Sequence, residues 1–148
     1  MRVLGVDPGD ARIGLAISDP TGTISRPLEV ISHTARKKDA EAIVAIAVQE
    51  GAAMIVVGWA LDSDGKPGYR ARKSQRLAEA IREKTRLSVV MWDESGSTQA
   101  AIQSRIEMGV SRKKRRGHLD AVAASILLQD FLIHNEQLVK GEEAAGDA

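Results

Sequence analysis

The segment MRVLGVDPGDARIGLAISD, residues 1–19, sets the fold class expected for this chain. It holds two short apolar runs, Val3–Val6 and Ile13–Ile17, on either side of the turn-forming sequence DPGD. Short apolar runs bounded by turn residues are typical of buried strands, and a glycine-containing turn between two of them predicts a β-hairpin. A second turn at 19–22 leads to a third predicted strand at about Leu28–Ile31. The first third of the chain is therefore predicted to be a three-stranded antiparallel meander.

The rest of the chain alternates between helical patterns and short apolar runs, which predicts βαβ crossovers. Two further strands are predicted at 53–57 and 87–92, and a basic loop at 109–117. Helices are predicted at 35–50, 69–86, 97–108 and 119–133. We therefore expect an α/β fold in the order βββαβαβαα, a mixed five-stranded sheet with helices on both faces. It would form one domain over residues 1–134, followed by an acidic, disordered tail at 135–148.

The composition limits which kinds of site the chain can hold. None of its 148 residues is cysteine, which excludes disulfides, thiolate zinc sites and thiol nucleophiles. A metal ion would therefore have to bind oxygen or imidazole ligands. No apolar run approaches the roughly 18 residues that span a bilayer, and the first residues do not resemble a signal peptide. We expect a cytoplasmic protein with no membrane association.

The net charge of +1 conceals strongly cationic segments. Consecutive cations repel one another unless anions neutralise them, so we favour phosphate contacts over the alternative of a solvated surface loop. Aromatic residues make up only 3% of the chain, too few for a base-stacking platform, which favours recognition of backbone and shape. The predicted nucleic-acid-binding cations are Arg70, Arg72, Arg112, Lys113, Lys114, Arg115 and Arg116.

Three acidic positions stand at the ends of predicted elements. Asp7 closes the first strand, Asp93 and Glu94 close the last strand, and Asp120 lies in the first turn of the final helix. The carboxyl ends of parallel strands form the functional crevice of open α/β sheets. Carboxylates gathered at one point are stable only if they share a proton or a cation, and oxygen-only ligation suits Mg²⁺ or Mn²⁺. Each acid taken singly could instead cap a turn or a helix.

The chain also contains four motifs in a fixed order. They are VDPGDARIGLAISD (Val6–Asp19), VVGWALDSDGKPG (Val56–Gly68), WDESGSTQAA (Trp92–Ala101) and HLDAVAASILLQDFL (His118–Leu132). Together, over about residues 1–133, they resemble the YqgF/RuvX family, the bacterial group of pre-16S rRNA nucleases and Holliday junction resolvases. Four ordered motifs are far more specific than any one of them.

The resemblance implies an RNase H-like fold and metal-dependent hydrolysis of phosphodiester bonds. It places the catalytic and metal-binding acids on Asp7, Glu94 and Asp120. It also makes Arg12, the basic residue beside the first acid, a predicted nucleic-acid-binding residue. In a mechanism with two divalent ions, one ion activates the attacking water and the other stabilises the leaving oxygen. In that scheme Asp7 would bridge the two ions, and each of the other two acids would complete one coordination sphere.

The sequence departs from the family pattern in two motifs. Trp59 and Ala60 follow the glycine of the second motif, where the family has a proline. Ser95 and Gly96 stand where the family has arginine and leucine. The missing arginine is expected near the substrate or the metal. One alternative function is therefore a nucleic-acid-binding module with impaired catalysis.

The function predicted first is a nuclease that processes the 5′ end of precursor 16S rRNA in ribosome biogenesis. The same chemistry on branched DNA, in a Holliday junction resolvase, is the second prediction, and it would need a dimer because two strands are cut symmetrically. A monomer or a homodimer is therefore expected. The first motif also superficially resembles a phosphate-binding hairpin of sugar kinases and actin-like ATPases, but the chain is too short for their two domains.

Overall fold

The computed structural model describes residues 1–60, 66–94 and 112–140, with the backbone alone described over 112–120. Five strands form one sheet: β1 (Arg2–Pro8), β2 (Arg12–Ser18), β3 (Ser25–Ser32), β4 (Ala52–Trp59) and β5 (Ser88–Asp93). Their order across the sheet is β3-β2-β1-β4-β5. The pairs β1–β2 and β2–β3 are antiparallel, whereas β1–β4 and β4–β5 are parallel. The predicted mixed sheet with an N-terminal meander is confirmed.

Helices cover both faces of this sheet. They are α1 (Arg36–Gln49), α2 (Tyr69–Lys84) and α3 (Arg112–His134). Helices α1 and α2 pack on one face and α3 packs on the other, as predicted. The predicted helix at 97–108 lies outside the described residues. Among the helices that are described, none has the length and apolar character needed to cross a lipid bilayer.

Alternation along the central strands divides the core into two layers. In β1, Leu4 and Val6 face α1 and α2, whereas Val3 faces α3. In β4, Ile55 faces the first pair of helices and Val56 faces α3. Strands covered on both faces are apolar at successive positions, which is why these segments read as continuous apolar runs.

Helix α3 begins earlier than the sequence pattern indicates. It starts at Arg112, so the prediction of a basic loop is wrong over residues 112–117. Arginine and lysine are good helix formers, and the single Gly117 costs only about 1 kcal/mol relative to alanine. The cationic run therefore continues the helix instead of preceding it. Residues 109–111 lie outside the described residues.

The chain remains packed against the domain beyond residue 134. Residues 136–140 form a further helical turn, and Val139 is fully buried. A Cβ on Gly22, which has a φ of 69°, would lie 2.2 Å from Val139 Cγ1. The structure therefore differs from the predicted disordered tail over 135–140, because Val139 gives this segment an apolar anchor. Residues 141–148 lie outside the described residues.

Candidate active site

Four strand ends meet at one edge of the sheet. Strands β1, β4 and β5 are parallel, and β3 runs in the same direction because β1 and β3 are both antiparallel to β2. Asp7 lies near the end of β1, and Glu94 follows β5 directly. The parallel strands therefore bring to one edge two acids that are 87 positions apart in the sequence. We call it the carboxylate edge.

The side chains of Asp7 and Glu94 are joined by a hydrogen bond. Burial raises the pKa of Glu94, the bond from Asp7 lowers it, and the negative charge of Asp93 raises it further, so that the pKa lies above its ordinary value. A hydrogen bond between two carboxyl groups requires a proton on one of them. A pair that must share a proton is also a pair that a cation can join.

Glycine in β4 allows helix α3 to lie close to the sheet between these two acids. Strand β4 lies between β1 and β5, and its Gly58 is opposite Trp92 of β5. A Cβ on Gly58 would lie 2.5 Å from Leu127 Cδ2 of α3, so position 58 faces the α3 side of the sheet. By strand alternation from Val3, Asp7 is on that same side. The surface of β4 between the two acids is therefore covered by the Leu127 side chain of α3.

Helix α3 crosses β1 at Gly5 and runs antiparallel to it. A Cβ on Gly5 would lie 2.9 Å from Leu128 Cβ and 3.4 Å from the Ala124 carbonyl oxygen. Farther along the chain, Val139 packs beside Gly22, whose Cβ would also lie 3.0 Å from the Met1 carbonyl oxygen. The C-terminal end of the helical segment therefore lies near the start of β1. The N-terminal end of α3 consequently lies toward the carboxylate edge.

Asp120 lies on α3 one turn before Ala124, whose carbonyl oxygen faces Gly5 of β1. Asp7 is two residues beyond Gly5 on the same face of the sheet, a step of about 6.6 Å along the strand. Asp120 precedes Ala124 by one turn of helix, a step of about 6 Å in the same direction. The side chain of Asp120 lies outside the described residues.

The donor chemistry of this edge fits a hard divalent cation. Asp7 and Glu94 present two half-buried carboxyl groups, and Mg²⁺ and Mn²⁺ prefer carboxylate oxygens. Among the side chains that the structure describes, no three acids or histidines lie close enough together to hold a metal ion. A third carboxylate would have to come from a residue such as Asp120, whose backbone alone is described.

A buried acid on α3 supports the end of β5 and was missed in the sequence. Asp130 is 0% exposed, and its Oδ2 accepts a hydrogen bond of 2.8 Å from Trp92 Nε1. His134 Nδ1 lies 3.3 Å from Asp130 Oδ1, and the ring of Phe131 packs edge-on against Trp92. These contacts fix Trp92, which stands two residues before Glu94. The available signal was an acid within the apolar pattern of the last helix.

The predicted cations that the structure describes lie along the same edge. Arg12 begins β2 immediately after the turn that follows Asp7, and it is exposed. Arg70 and Arg72 are exposed in the first turn of α2, which follows β4 in the chain. The backbone of the run Arg112–Arg116 forms the start of α3, and its side chains lie outside the described residues.

One cation of this edge was not predicted as a functional residue. Arg36 begins α1, which follows β3, and it is exposed. Its neighbours Lys37 and Lys38 made the segment look like the charged first turn of a helix. The strand order shows instead that this turn stands at the carboxylate edge, because β3 is parallel to β1.

Comparison with known proteins matches this chain to one family and to named relatives. A model of the family described as "RuvX: Holliday junction resolvase" matches residues 1–134. A protein of Geobacillus kaustophilus named "Putative pre-16S rRNA nuclease" is 42% identical over 134 residues, 89% of this chain and 97% of that protein. A protein of the same name from Halothermothrix orenii is 40% identical over 138 residues, 93% of this chain and 99% of that protein.

Solved structures with low sequence identity share the fold. RuvC of Thermus thermophilus in complex with a Holliday junction substrate has a TM-score of 0.62 at 18% identity, covering 91% of this chain and 96% of that chain. The Fowlpox virus resolvase in complex with Holliday junction DNA has a TM-score of 0.53 at 14% identity, covering 90% of this chain and 98% of that chain.

The sheet order, the helices on both faces and these structural likenesses define an RNase H-like protein, which confirms the predicted fold. The chain belongs to the RuvX family, as its four motifs indicate. The family and the named relatives support the predicted nuclease function.

Proposed function

We propose that this protein is a nuclease that hydrolyses phosphodiester bonds with the help of Mg²⁺ or Mn²⁺, and that precursor 16S rRNA is its substrate. The observation that carries the proposal is the contact between the carboxyl groups of Asp7 and Glu94 at the carboxylate edge. Relatives covering nearly the whole chain are named for pre-16S rRNA, which supports the choice of substrate. That substrate would be processed in the cytoplasm, at its 5′ end.

The residues that would hold divalent ions are Asp7, Glu94 and Asp120. When bound, a pair of ions would activate the attacking water and stabilise the leaving oxygen. The protein's own contribution is to hold Asp7 and Glu94 in contact before an ion arrives, because β1 and β5 fix their backbones on either side of β4. This arrangement lowers the reorganisation needed on metal binding.

The exposed cations would bind the phosphates that flank the cleaved bond. Arg12, Arg70 and Arg72 are exposed at the same edge as the acids. In our proposal the run Arg112–Arg116, whose backbone starts α3, extends this cationic surface. Phosphate contacts of this kind give affinity without base specificity. Recognition of the substrate would therefore depend on its backbone and shape.

The second candidate function is a Holliday junction resolvase acting on branched DNA. The description of the matching family favours it, as does the likeness to RuvC in complex with a junction. A resolvase cuts two strands symmetrically, so this function would require a homodimer with two carboxylate edges. The processing of one RNA end requires a single site and is compatible with a monomer.

Cleavage of two labelled substrates side by side tests these functions. One substrate is a precursor 16S rRNA fragment with its 5′ extension, and the other is a four-way DNA junction. We expect cleavage of the RNA with Mg²⁺ or Mn²⁺, no cleavage with chelator, and no cleavage by Asp7→Asn. Glu83→Gln, an equal charge change at an exposed position on α2, should cut like wild type.

The outcomes separate the candidates clearly. Cleavage of the junction alone would establish the resolvase instead, and binding without cleavage of either substrate would establish a binding module. Unchanged cleavage by Asp7→Asn would refute the assignment of the metal site.

The salt dependence of RNA binding tests the cationic surface. Each phosphate contact on a single strand contributes about 0.7 to the slope of log affinity against log salt concentration. Replacing both Arg70 and Arg72 with alanine should therefore reduce the slope by about 1.4. Arg86→Ala, at an exposed position beyond the other end of α2, should leave the slope unchanged. An unaltered slope in the double variant would assign those two arginines to the solvated surface.

A further inference from the structure

A cavity of about 220 Å³ opens on the face of the sheet opposite the carboxyl pair. It lies between the β1–β2 turn, the start of α1 and the side of α2. Its apolar wall is formed by Ile13 and Leu77, and its rim by Pro8 and Gly9, the two residues that follow Asp7. This cavity is therefore adjacent to the proposed active site in the chain, although it faces the α1 and α2 side.

Cations from two helices converge on this cavity. Arg36 from the first turn of α1 and Lys73 from α2 both line it. An adjoining cleft of about 180 Å³ shares Lys73 with the cavity and adds Arg70. Lys73 Nζ also lies 3.3 Å from Asp10 Oδ1, but both side chains are partly exposed, so this pair is weak. The lining therefore combines an apolar wall with the cations Arg36 and Lys73, opposed by the buried Asp39 and the exposed Asp10.

A buried carboxylate fixes the one histidine of the lining. Asp39 is 3% exposed, and its Oδ2 contacts His33 Nδ1. Its Oδ1 accepts hydrogen bonds from Thr34 N at 3.0 Å and from Thr34 Oγ1 at 3.4 Å. The His33 backbone N–H donates to the Ala11 carbonyl oxygen at 2.9 Å. His33 is therefore held through its backbone N–H and through its ring Nδ1. A ligand in the cavity would meet the other ring nitrogen, Nε2.

We propose that this cavity binds one nucleotide unit, with the base against Ile13 and Leu77 and the phosphate between Arg36 and Lys73. Small-molecule sites combine a mostly apolar concavity with a few fixed polar groups, and this cavity has that composition. Its volume is below the roughly 300–1,000 Å³ of sites for drug-sized ligands, which suits a single base. His33 Nε2 supplies one hydrogen-bonding group to the ligand.

The nucleotide belongs to the bound nucleic-acid strand, and this second part of the proposal rests on the proposed function. The Pro8–Gly9 turn forms the rim of the cavity and directly follows Asp7, which faces the other side. A single strand that crosses the carboxylate edge would therefore place one phosphate at Asp7 and a neighbouring nucleotide in the cavity. A free mononucleotide has the same chemistry, and the experiment distinguishes the two sources.

Calorimetric titration of the full chain with AMP, ribose 5-phosphate and inorganic phosphate tests the site. We expect AMP to bind at least about tenfold more tightly than ribose 5-phosphate, because only AMP has a base for the apolar wall. The double variant Arg36→Ala/Lys73→Ala should weaken AMP binding by about tenfold or more. The control Lys37→Ala/Lys38→Ala removes the same charge from the same turn of α1, outside the lining, and should change affinity less than about twofold.

A cavity-filling variant separates the base from the phosphate. Ala35 lines the cavity, and Ala35→Phe should weaken AMP binding by about tenfold while inorganic phosphate binds as to wild type. Equal affinity for AMP and ribose 5-phosphate would overturn the nucleotide site. Equal loss in the cavity double variant and its control would overturn it as well.

Competition with RNA identifies the source of the nucleotide. We expect a single-stranded RNA oligonucleotide to displace AMP from the wild-type protein, and an oligonucleotide that leaves AMP bound would overturn the strand assignment. Asp7→Asn should bind AMP with wild-type affinity, since Asp7 faces the other side of the sheet. Failure of cleavage together with intact AMP binding would therefore refute the proposed function and not the nucleotide site.

Discussion

The close contact between Gly5 and α3 allows a sharp test of how the carboxylate edge is assembled. In Gly5→Ala, the new Cβ would lie 2.9 Å from Leu128 Cβ and 3.4 Å from the Ala124 carbonyl oxygen. Leu128 Cβ and the Ala124 carbonyl oxygen are fixed to the backbone of the helix, so α3 must move away from β1. We expect this overpacking to lower the free energy of unfolding by about 1–3 kcal/mol.

The same movement should affect cleavage. Helix α3 carries the backbone of Asp120, and a shift of α3 from β1 would separate Asp120 from Asp7. We therefore expect Gly5→Ala to lose cleavage at a temperature where it is fully folded. Gly51→Ala is the matched control: a φ of 71° strains the alanine, but no atom lies within 4 Å of its Cβ. That strain costs about 1 kcal/mol at a turn remote from the edge, so cleavage should persist.

Urea unfolding in two backgrounds identifies the clashing atom. Leu128→Ala keeps the Cβ that Gly5→Ala would strike, so the second substitution should still cost about 1–3 kcal/mol in that background. Leu128→Gly removes the Cβ, so the cost of Gly5→Ala should fall by at least about 0.5 kcal/mol, within the usual range of coupling energies. Equal costs in the three backgrounds, or cleavage by Gly5→Ala equal to that of Gly51→Ala, would refute this account of the helix crossing.

Substitutions at three other positions test single groups by urea or thermal unfolding. Asp19→Ala should lower the free energy of unfolding by about 1 kcal/mol at pH 7. Burial raises the pKa of Asp19, but hydrogen bonds to its carboxylate, the first from Ile24 N–H, lower the pKa below its ordinary value. The stabilisation is therefore lost as the pH falls below about 4, and the stabilities of the variant and the wild type converge. Asp130→Ala should cost about 2 kcal/mol or more, because it leaves Trp92 Nε1 without its acceptor, whereas Asp130→Asn should cost less. Asp7→Asn should raise the unfolding temperature at pH 7 without divalent ions and remove the increase that Mg²⁺ gives the wild type. A change in stability of the opposite sign in any of these variants would contradict the corresponding assignment. An Mg²⁺-dependent rise in the unfolding temperature of Asp7→Asn would contradict the metal site.

The sequence predicts β1, β2, β4 and β5 well because each is a short apolar run bounded by turn residues. Strand β3 contains Arg26 and Glu29 and begins three residues before the predicted Leu28–Ile31. The order of the strands required more than the runs themselves. The antiparallel meander followed by βαβ crossovers leaves few topologies for a five-stranded sheet, and the structure has the expected mixture. The meeting of Asp7 and Glu94 depended on β1 and β5 being parallel, which local patterns do not encode.

Two features were missed in the sequence, one for a reason of local helix propensity and one for a reason of tertiary packing. Helix α3 extends back to Arg112 because cationic side chains favour helix, whereas a run of charge next to glycine resembles a loop. Asp130 looks like an exposed acid near the end of a helix until Trp92 is placed beside it. For Asp130, the decisive neighbour lies 38 positions away in the sequence.

The two faces of the carboxylate edge suit different phosphates of one strand. Like charges repel, so a phosphate can approach Asp7 and Glu94 only when a cation lies between them. On the opposite face, our proposal assigns direct phosphate binding to Arg36 and Lys73, which line the cavity. Along the chain, Asp7 is followed directly by Pro8 and Gly9, which form the rim of the cavity on the opposite face. A strand held first by the protein's own cations would therefore carry its next phosphate to the acids only when a divalent ion is present, which couples positioning of the substrate to occupancy of the metal site.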